Sequence, residues 1–304
     1  MDLIIPRQGS AESLDVGSVS TNPTTISSLQ SSEQPTIKFT TYKALLEAIK
    51  QASTECIYIK DISAEQFTLV QRERGDKTPF RLKFFCPDQH LLIITIPSMP
   101  HEVVIARLER FFITGVVAQG LDLHWIGLNS TTYINQNNGT AGEGDASGGP
   151  FIPGVGAVQH WPTLVIESGY SQTLTQLRAQ MAWWFRASAH QVKIVLLLKM
   201  DASSPADILI EKWQEIPLQN RPGATNTRAS GALGPNLIQV INIRRINNAA
   251  PHAPQSYTVT RGDLRLDFAL LFLRQPGQGE GDIIIGIQQL QWLGATLAGI
   301  NLSG

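Results

Sequence analysis

Glu167 closes the short apolar run Thr163 to Glu167, so one acid stands at the end of a buried strand. An acid in that position needs hydrogen bonds. The simplest supply is the backbone N–H groups of the turn that Gly169, Tyr170 and Ser171 signal. Arg178 lies eleven residues on, on the apolar stripe of a helix, where a guanidinium can either bind a phosphate or snorkel past the stripe to water. Being always protonated, it cannot act as a base. Trp183 and Trp184 are adjacent and point to different helix faces, which assigns Trp184 to the core and leaves Trp183 as a remote candidate for base stacking. His101, His124, His160 and His190 show no metal-ligand spacing and read as surface or hydrogen-bonded histidines. Arg244 and Arg245, with Arg221 and Arg228, have the residue type of a phosphate path, but such groups are also common on ordinary surfaces. No glycine-rich phosphate loop and no Gly-x-Ser-x-Gly elbow occurs, which disfavours nucleotide-binding folds of those types and the α/β-hydrolases.

The elements that must position Glu167 and Arg178 run from Trp161 to Met200 and read strand, turn, helix, strand. Leu174, Leu177, Met181, Trp184 and Phe185 recur at three-to-four-residue spacing, the stripe of a helix packed on a sheet. Val192 to Met200 is a nearly unbroken apolar run with Lys193 and Lys199 near its ends, as a strand covered on both faces requires. Upstream, Tyr42 to Gln51 predicts an amphipathic helix, and Ile57 to Ile59, Phe67 to Val70, Arg81 to Phe85 and Leu91 to Ile96 predict successive antiparallel strands. His101 to Gly120, introduced by Pro100, is the first long helix. Leu121 to Leu128 and Thr132 to Ile134 read as strands, and Asn135 to Gly149 as a flexible loop of Asn, Gly, Ser and small residues. Downstream come strands at Ile208 to Trp213, Leu237 to Arg244, Tyr257 to Thr260, Leu264 to Leu273 and Asp282 to Ile287, then a closing helix over Gln288 to Ile300. Pro217 to Pro235 reads as a second long loop, functional or disordered. Residues 1 to 37, rich in Ser, Thr, Gln, Gly and Pro, read as a disordered tail, leaving 38 to 304 as a single domain with its core at about 90 to 215.

With 304 residues and 42% of them hydrophobic, the chain can bury a substantial core unaided. Its formal net charge of −1 supplies no global field for nucleic acid or an anionic membrane, so any such binding must be local. Cys56 and Cys86 are the only cysteines, too few for a disulfide scaffold or a four-cysteine zinc site, and they read as buried thiols in a reducing compartment. Neither a signal-peptide core nor a membrane-spanning run is present, which predicts an intracellular protein, cytoplasmic or nuclear, with no membrane partner. The glycosylation-type triplets at Asn129, Asn138 and Asn301 carry no weight in that setting, and Arg261-Gly262-Asp263 reads as a turn.

The acid-bearing strand Pro162-Thr163-Leu164-Val165-Ile166-Glu167-Ser168-Gly169, the helix with Leu177 and Trp184, and the strand Val192-Lys193-Ile194-Val195-Leu196-Leu197-Leu198 resemble a restriction-endonuclease-like domain. The superfamily is that of the PD-(D/E)XK nucleases, in a divergent branch associated with fungal genomes, and the resemblance spans about residues 90 to 285. It implies an α/β fold with a mixed central β-sheet flanked by helices, here with extra N- and C-terminal strands. The implied chemistry is hydrolysis of DNA or RNA phosphodiesters by Mg²⁺ held on an acid from each of two strands. Glu167 matches the second acid, but Gly169 stands where the superfamily's lysine is expected. The first acid would fall near Ser147-Gly148, where there is no carboxylate; Asp145 or Glu143 substitutes if the glycine-rich stretch shifts the register. Glu102 is a candidate auxiliary metal ligand, and Arg178 a candidate phosphate-holding catalytic cation supplied from the helix. The expectation is therefore a degenerate site, non-catalytic or weakly active, with a partner the sequence does not name. The alternative is a Mg²⁺-dependent nuclease using Glu167, Asp145 and Arg178, with Glu167, Asp145 and Glu102 around the ion.

Overall fold

A computed structural model describes residues 35–75, 80–129, 131–152, 161–201, 204, 207–218, 232–246 and 249–298. Most of the tail expected at 1 to 37, together with His160, Arg221, Arg228 and most of the second long loop, lies outside the described residues. In chain order the elements are β1 (Thr36–Lys38), α1 (Tyr42–Gln51), β2 (Cys56–Lys60), α2 (Ala64–Arg74), β3 (Arg81–Cys86), β4 (Leu91–Thr95), α3 (Met99–Ala118), β5 (Trp125–Gly127), β6 (Thr132–Ile134), β7 (Ala141–Glu143) and β8 (Ala146–Pro150). They continue with β9 (Leu164–Gly169), α4 (Leu174–Ala187), β10 (Ile194–Met200), β11 (Ile208–Pro217), β12 (Leu233–Arg245), β13 (Tyr257–Thr260), β14 (Leu264–Leu266), α5 (Phe268–Phe272), β15 (Ile283–Ile285) and α6 (Ile287–Ala298). Among the described residues, no helix is long and apolar enough to cross a membrane.

Two sheets sandwich one helix. The first runs β1-β2-β4-β3-β7-β6, the second β13-β12-β11-β10-β9-β8-β5, and β14 and β15 form a small antiparallel two-stranded sheet of their own. Within the second sheet β9 and β10 are parallel, Leu164 beside Ile194 through Gly169 beside Lys199, while β8 and β11 flank them antiparallel. This is the expected mixed α/β architecture: β9, which carries Glu167 and runs on to Gly169, and the strand after Val192 share one sheet, joined by α4.

The core follows from the faces of these strands. Phe67 and Val70 of α2 and Leu45 and Ile49 of α1 cover the outer face of the first sheet at Ile57, Ile59, Leu82, Phe85, Leu92 and Ile94. Its inner face, with Tyr58, Phe84 and Ile93, meets Ala179 and Trp183 of α4. The opposite side of α4, Leu177, Met181, Trp184 and Phe185, packs on Val165, Val195 and Leu197 of the second sheet. Val104, Leu108, Phe112 and Val116 of α3, with residues of α5 and α6, cover that sheet's far face at Leu164, Ile166, Leu196 and Leu198. A helix that meets a sheet on both sides needs more than one apolar stripe, and α4 has it.

Several segments depart from the sequence reading. Phe67 to Val70 is helical rather than extended, because Ser63 and Gln66 form a capping box that starts α2 and puts Phe67 and Val70 on one buried side. Thr36 and Ile37, read as tail, pair with Tyr58 and Ile59 as β1. The run from Leu264 leaves the strand after Leu266: Phe268, Leu271 and Phe272 are buried at helical spacing, and Asp282 accepts from the Phe268 N–H at 2.8 Å. Leu121 to Leu128 is extended only over β5, after a tight helical turn at Asp122–His124.

The largest correction concerns Asn135 to Gly149, which contains β7 and β8, both buried, and crosses from one sheet to the other at Gly144 and Asp145. Its glycines are there for want of space. A Cβ at Gly142 would lie 2.7 Å from the Trp183 ring, and one at Gly148 2.6 Å from the Trp125 ring.

Candidate functional site

The crossover of β7 into β8 carries Asp145 to the seam between the sheets, and β9 brings Glu167 to the same place. Asp145 N–H donates to the Ile166 carbonyl at 3.0 Å, and Asp145 Oδ2 accepts from Ser168 N–H at 2.6 Å, so the backbone of β9 fixes this carboxylate. Glu167 faces α4, whose Trp184 indole N–H donates to Glu167 Oε1 at 2.5 Å.

Between the two acids lies the ammonium of Lys83. Its Nζ donates to Asp145 Oδ2 at 3.0 Å and to Glu167 Oε2. Lys83 comes from β3, and a β-bulge there aims it: Leu82 pairs with Ile94 and Phe84 with Ile93, which leaves Lys83 as the extra residue. Lys83 and Phe84 consequently both face inward, while Leu82 and Phe85 face the outer core. All three charged side chains are 0% exposed.

Further charges surround this trio. His101, on the first turn of α3 and itself 1% exposed, places Nε2 3.1 Å from Asp145 Oδ2. Arg81 donates to the Asp145 carbonyl at 2.6 Å and to Glu102 Oε1 at 2.6 Å, so Glu102 stands half-exposed at the rim, facing a cation. Glu143 is buried and satisfied by Arg74 at 2.7 Å, the Leu82 N–H at 2.9 Å and the Thr132 hydroxyl.

Burial opposes ionisation of Asp145, Glu167, Lys83 and His101, and the neighbours decide the outcome. Asp145 is pushed up by burial, but the charges of Lys83, His101 and Arg81 outweigh it and hold the carboxyl well below its usual range. For Glu167 burial wins, helped by the Asp145 charge, and the carboxyl is raised despite Lys83. Burial lowers Lys83, yet the two carboxylates more than compensate, and its pKa rises. The same contest at His101, with Asp145 as the main partner, ends at about 9.

The structure thus brings Asp145 and Glu167 together through one ammonium, sets Glu102 at the edge behind Arg81, and holds Arg178 elsewhere. Arg178 makes a two-point pair with Glu211 on β11, at 3.0 and 2.5 Å, and lies over the Trp213 ring. Glu211 is opposite Leu197, which is beside Glu167, so Arg178 serves a carboxylate two strands away. At Gly169, where a lysine would stand in the nuclease pattern, a Cβ would come within 3.1 Å of Gln172 and Leu177. A side chain there would press on Gln172 and Leu177, and the cation arrives from β3 instead.

Sequence reasoning passed over Lys83, Arg81 and the burial of His101. One signal was present: Lys83 is a lone charge inside the run Leu82 to Cys86, and a cation in a buried strand needs an acid.

A Mg²⁺ ion does not fit this arrangement, since the space between the two carboxylates is filled by a fixed positive charge and Glu102 is bound to Arg81. Among the described residues, no group of three or more His, Cys, Asp or Glu side chains is arranged to hold a metal.

No family model matches the chain, and no curated protein is similar to it. Among solved structures, a provisionally assigned nuclease belonging to DUF820 from Anabaena variabilis ATCC 29413 is similar over 76% of this chain and 99% of its own, at 11% identity and a TM-score of 0.39.

Proposed function

We propose that this protein is a nuclease-like module of the divergent, fungus-associated PD-(D/E)XK type that does not cleave phosphodiesters and acts inside the cell by binding a protein. One observation carries the reading: Asp145 and Glu167, the two candidate ligands, are 0% exposed and already bridged by the Lys83 ammonium. A polymer backbone must reach metal and water together, and here the first sheet and Trp184 wall off both acids. The absence of a lysine at position 169 and the engagement of Arg178 by Glu211 remove the two other groups the chemistry would call on. The net charge of −1 favours a protein partner over nucleic acid.

The competing reading, a Mg²⁺-dependent nuclease, draws on the adjacency of Asp145 on the β7–β8 crossover and Glu167 on β9. Incubation with single- and double-stranded DNA and RNA in Mg²⁺ or Mn²⁺ decides between them. The expected result is no cleavage above that of a Glu167→Gln control. Metal-dependent cleavage that the control lacks would overturn the proposal.

A further inference from the structure

We infer that Lys83 is a resident replacement for a divalent cation: its ammonium bridges Asp145 and Glu167, with His101 as a second cation beside Asp145, and makes the fold indifferent to metal. This deepens the non-catalytic reading and rests on it. Two buried carboxylates this close repel one another unless a cation lies between them. A metalloprotein meets that need with an ion from solution, whose loss destabilises the fold. Here the cation is covalently part of the chain. The β3 bulge aims it, the Gln180 side-chain amide donates to the Lys83 carbonyl at 3.3 Å, and burial excludes competing water.

The geometry separates a charge effect from a space effect. Lys83→Ala removes the charge and opens a space between the carboxylates. Lys83→Met removes the charge but keeps the space filled. Melting of wild type and both variants, with EDTA and with a Mn²⁺ titration, then tests the inference without reference to activity. Both variants are expected to melt below wild type in EDTA. Mn²⁺ should raise the midpoint of Lys83→Ala in a concentration-dependent way that EDTA reverses, as mass action requires of a ligand that binds only the folded state. Wild type and Lys83→Met should not respond.

If Lys83→Ala does not fold, the pair Lys83→Met and Lys83→Met/Glu167→Gln still decides, because the double variant removes the uncompensated charge and should melt above the single one. A wild-type response to Mn²⁺ that Glu167→Gln abolishes, a folded Lys83→Ala that ignores Mn²⁺, or a double variant no more stable than Lys83→Met would each overturn the inference. The two ideas fail separately. Cleavage by wild type defeats the proposed function, whereas a non-cleaving wild type with a metal-indifferent Lys83→Ala defeats only the cation replacement.

Discussion

Glu167 accepts from two donors of different elements, the Lys83 ammonium and the Trp184 indole, and a side-chain amide cannot serve both. Glu167→Gln must turn its NH₂ toward one of them. We expect a loss of about 1 to 3 kcal/mol from the impaired buried hydrogen bond, equal with and without Mg²⁺ or Mn²⁺ in denaturant titrations; a loss that appears only with metal would restore the ligand role. His101 gives a pH signature. Its folded pKa, raised to about 9 chiefly by Asp145 against the opposing effect of burial, exceeds the ordinary value of 6.5. Its contribution is therefore complete below pH 6.5 and is lost as pH climbs through about 9. Glu167 acts in the same sense at lower pH, because an acid whose carboxyl is raised favours the folded state while protonated. Asp145, held low, acts oppositely, and its contribution disappears on acidification below its ordinary value of 3.8. Melting curves of wild type and His101→Gln should diverge most at pH 6.5 and converge toward pH 10; a constant gap would disprove the ionic role.

At the scale of elements, the β7–β8 crossover positions Asp145, and it does so because glycine lets it pass between aromatic rings. Gly142→Ala sets a methyl 2.7 Å from Trp183 and 3.2 Å from the Lys83 carbonyl, displacing the strand that delivers both Asp145 and Glu143. Overpacking of this kind costs about 1 to 3 kcal/mol. Gly281→Ala is the control, since a Cβ there meets nothing within 4 Å. Chemical denaturation of the two variants should show the first clearly destabilised and the second near wild type; equal effects would show that the crossover has slack. The bulge in β3 matters for the same reason, in that one extra residue brings both an ammonium and Phe84 to the inner face.

For the whole molecule, α4 is the shared wall of two cores, with Ala179 and Trp183 on one sheet and Leu177, Met181 and Phe185 on the other. Buried pairs cross the same seam at Lys83–Asp145 and Lys83–Glu167. Separating the sheets would expose both the apolar surface and those charges. Urea unfolding followed by tryptophan fluorescence, which reports on Trp183 against the first sheet and on Trp125, Trp161, Trp184, Trp213 and Trp292 elsewhere, should coincide with unfolding followed by far-UV circular dichroism. An early loss of dichroism accompanied by only a partial fluorescence change, that of Trp183 leaving Phe84, would mean that the first sheet melts alone.

The sequence by itself determined the β9–α4–β10 unit, the long helix α3 and the acid at Glu167, because these rest on hydrophobic periodicity and turn chemistry within a short window. It misjudged Asn135 to Gly149, since a glycine-rich stretch looks the same whether it is loose or threaded between Trp183 and Trp125. Asp145, Lys83 and His101 lie on separate elements, and only the tertiary structure decided that they meet. A buried charge takes its meaning from the partner that compensates it, and for Glu167 that partner, Lys83, is 84 residues away on another sheet.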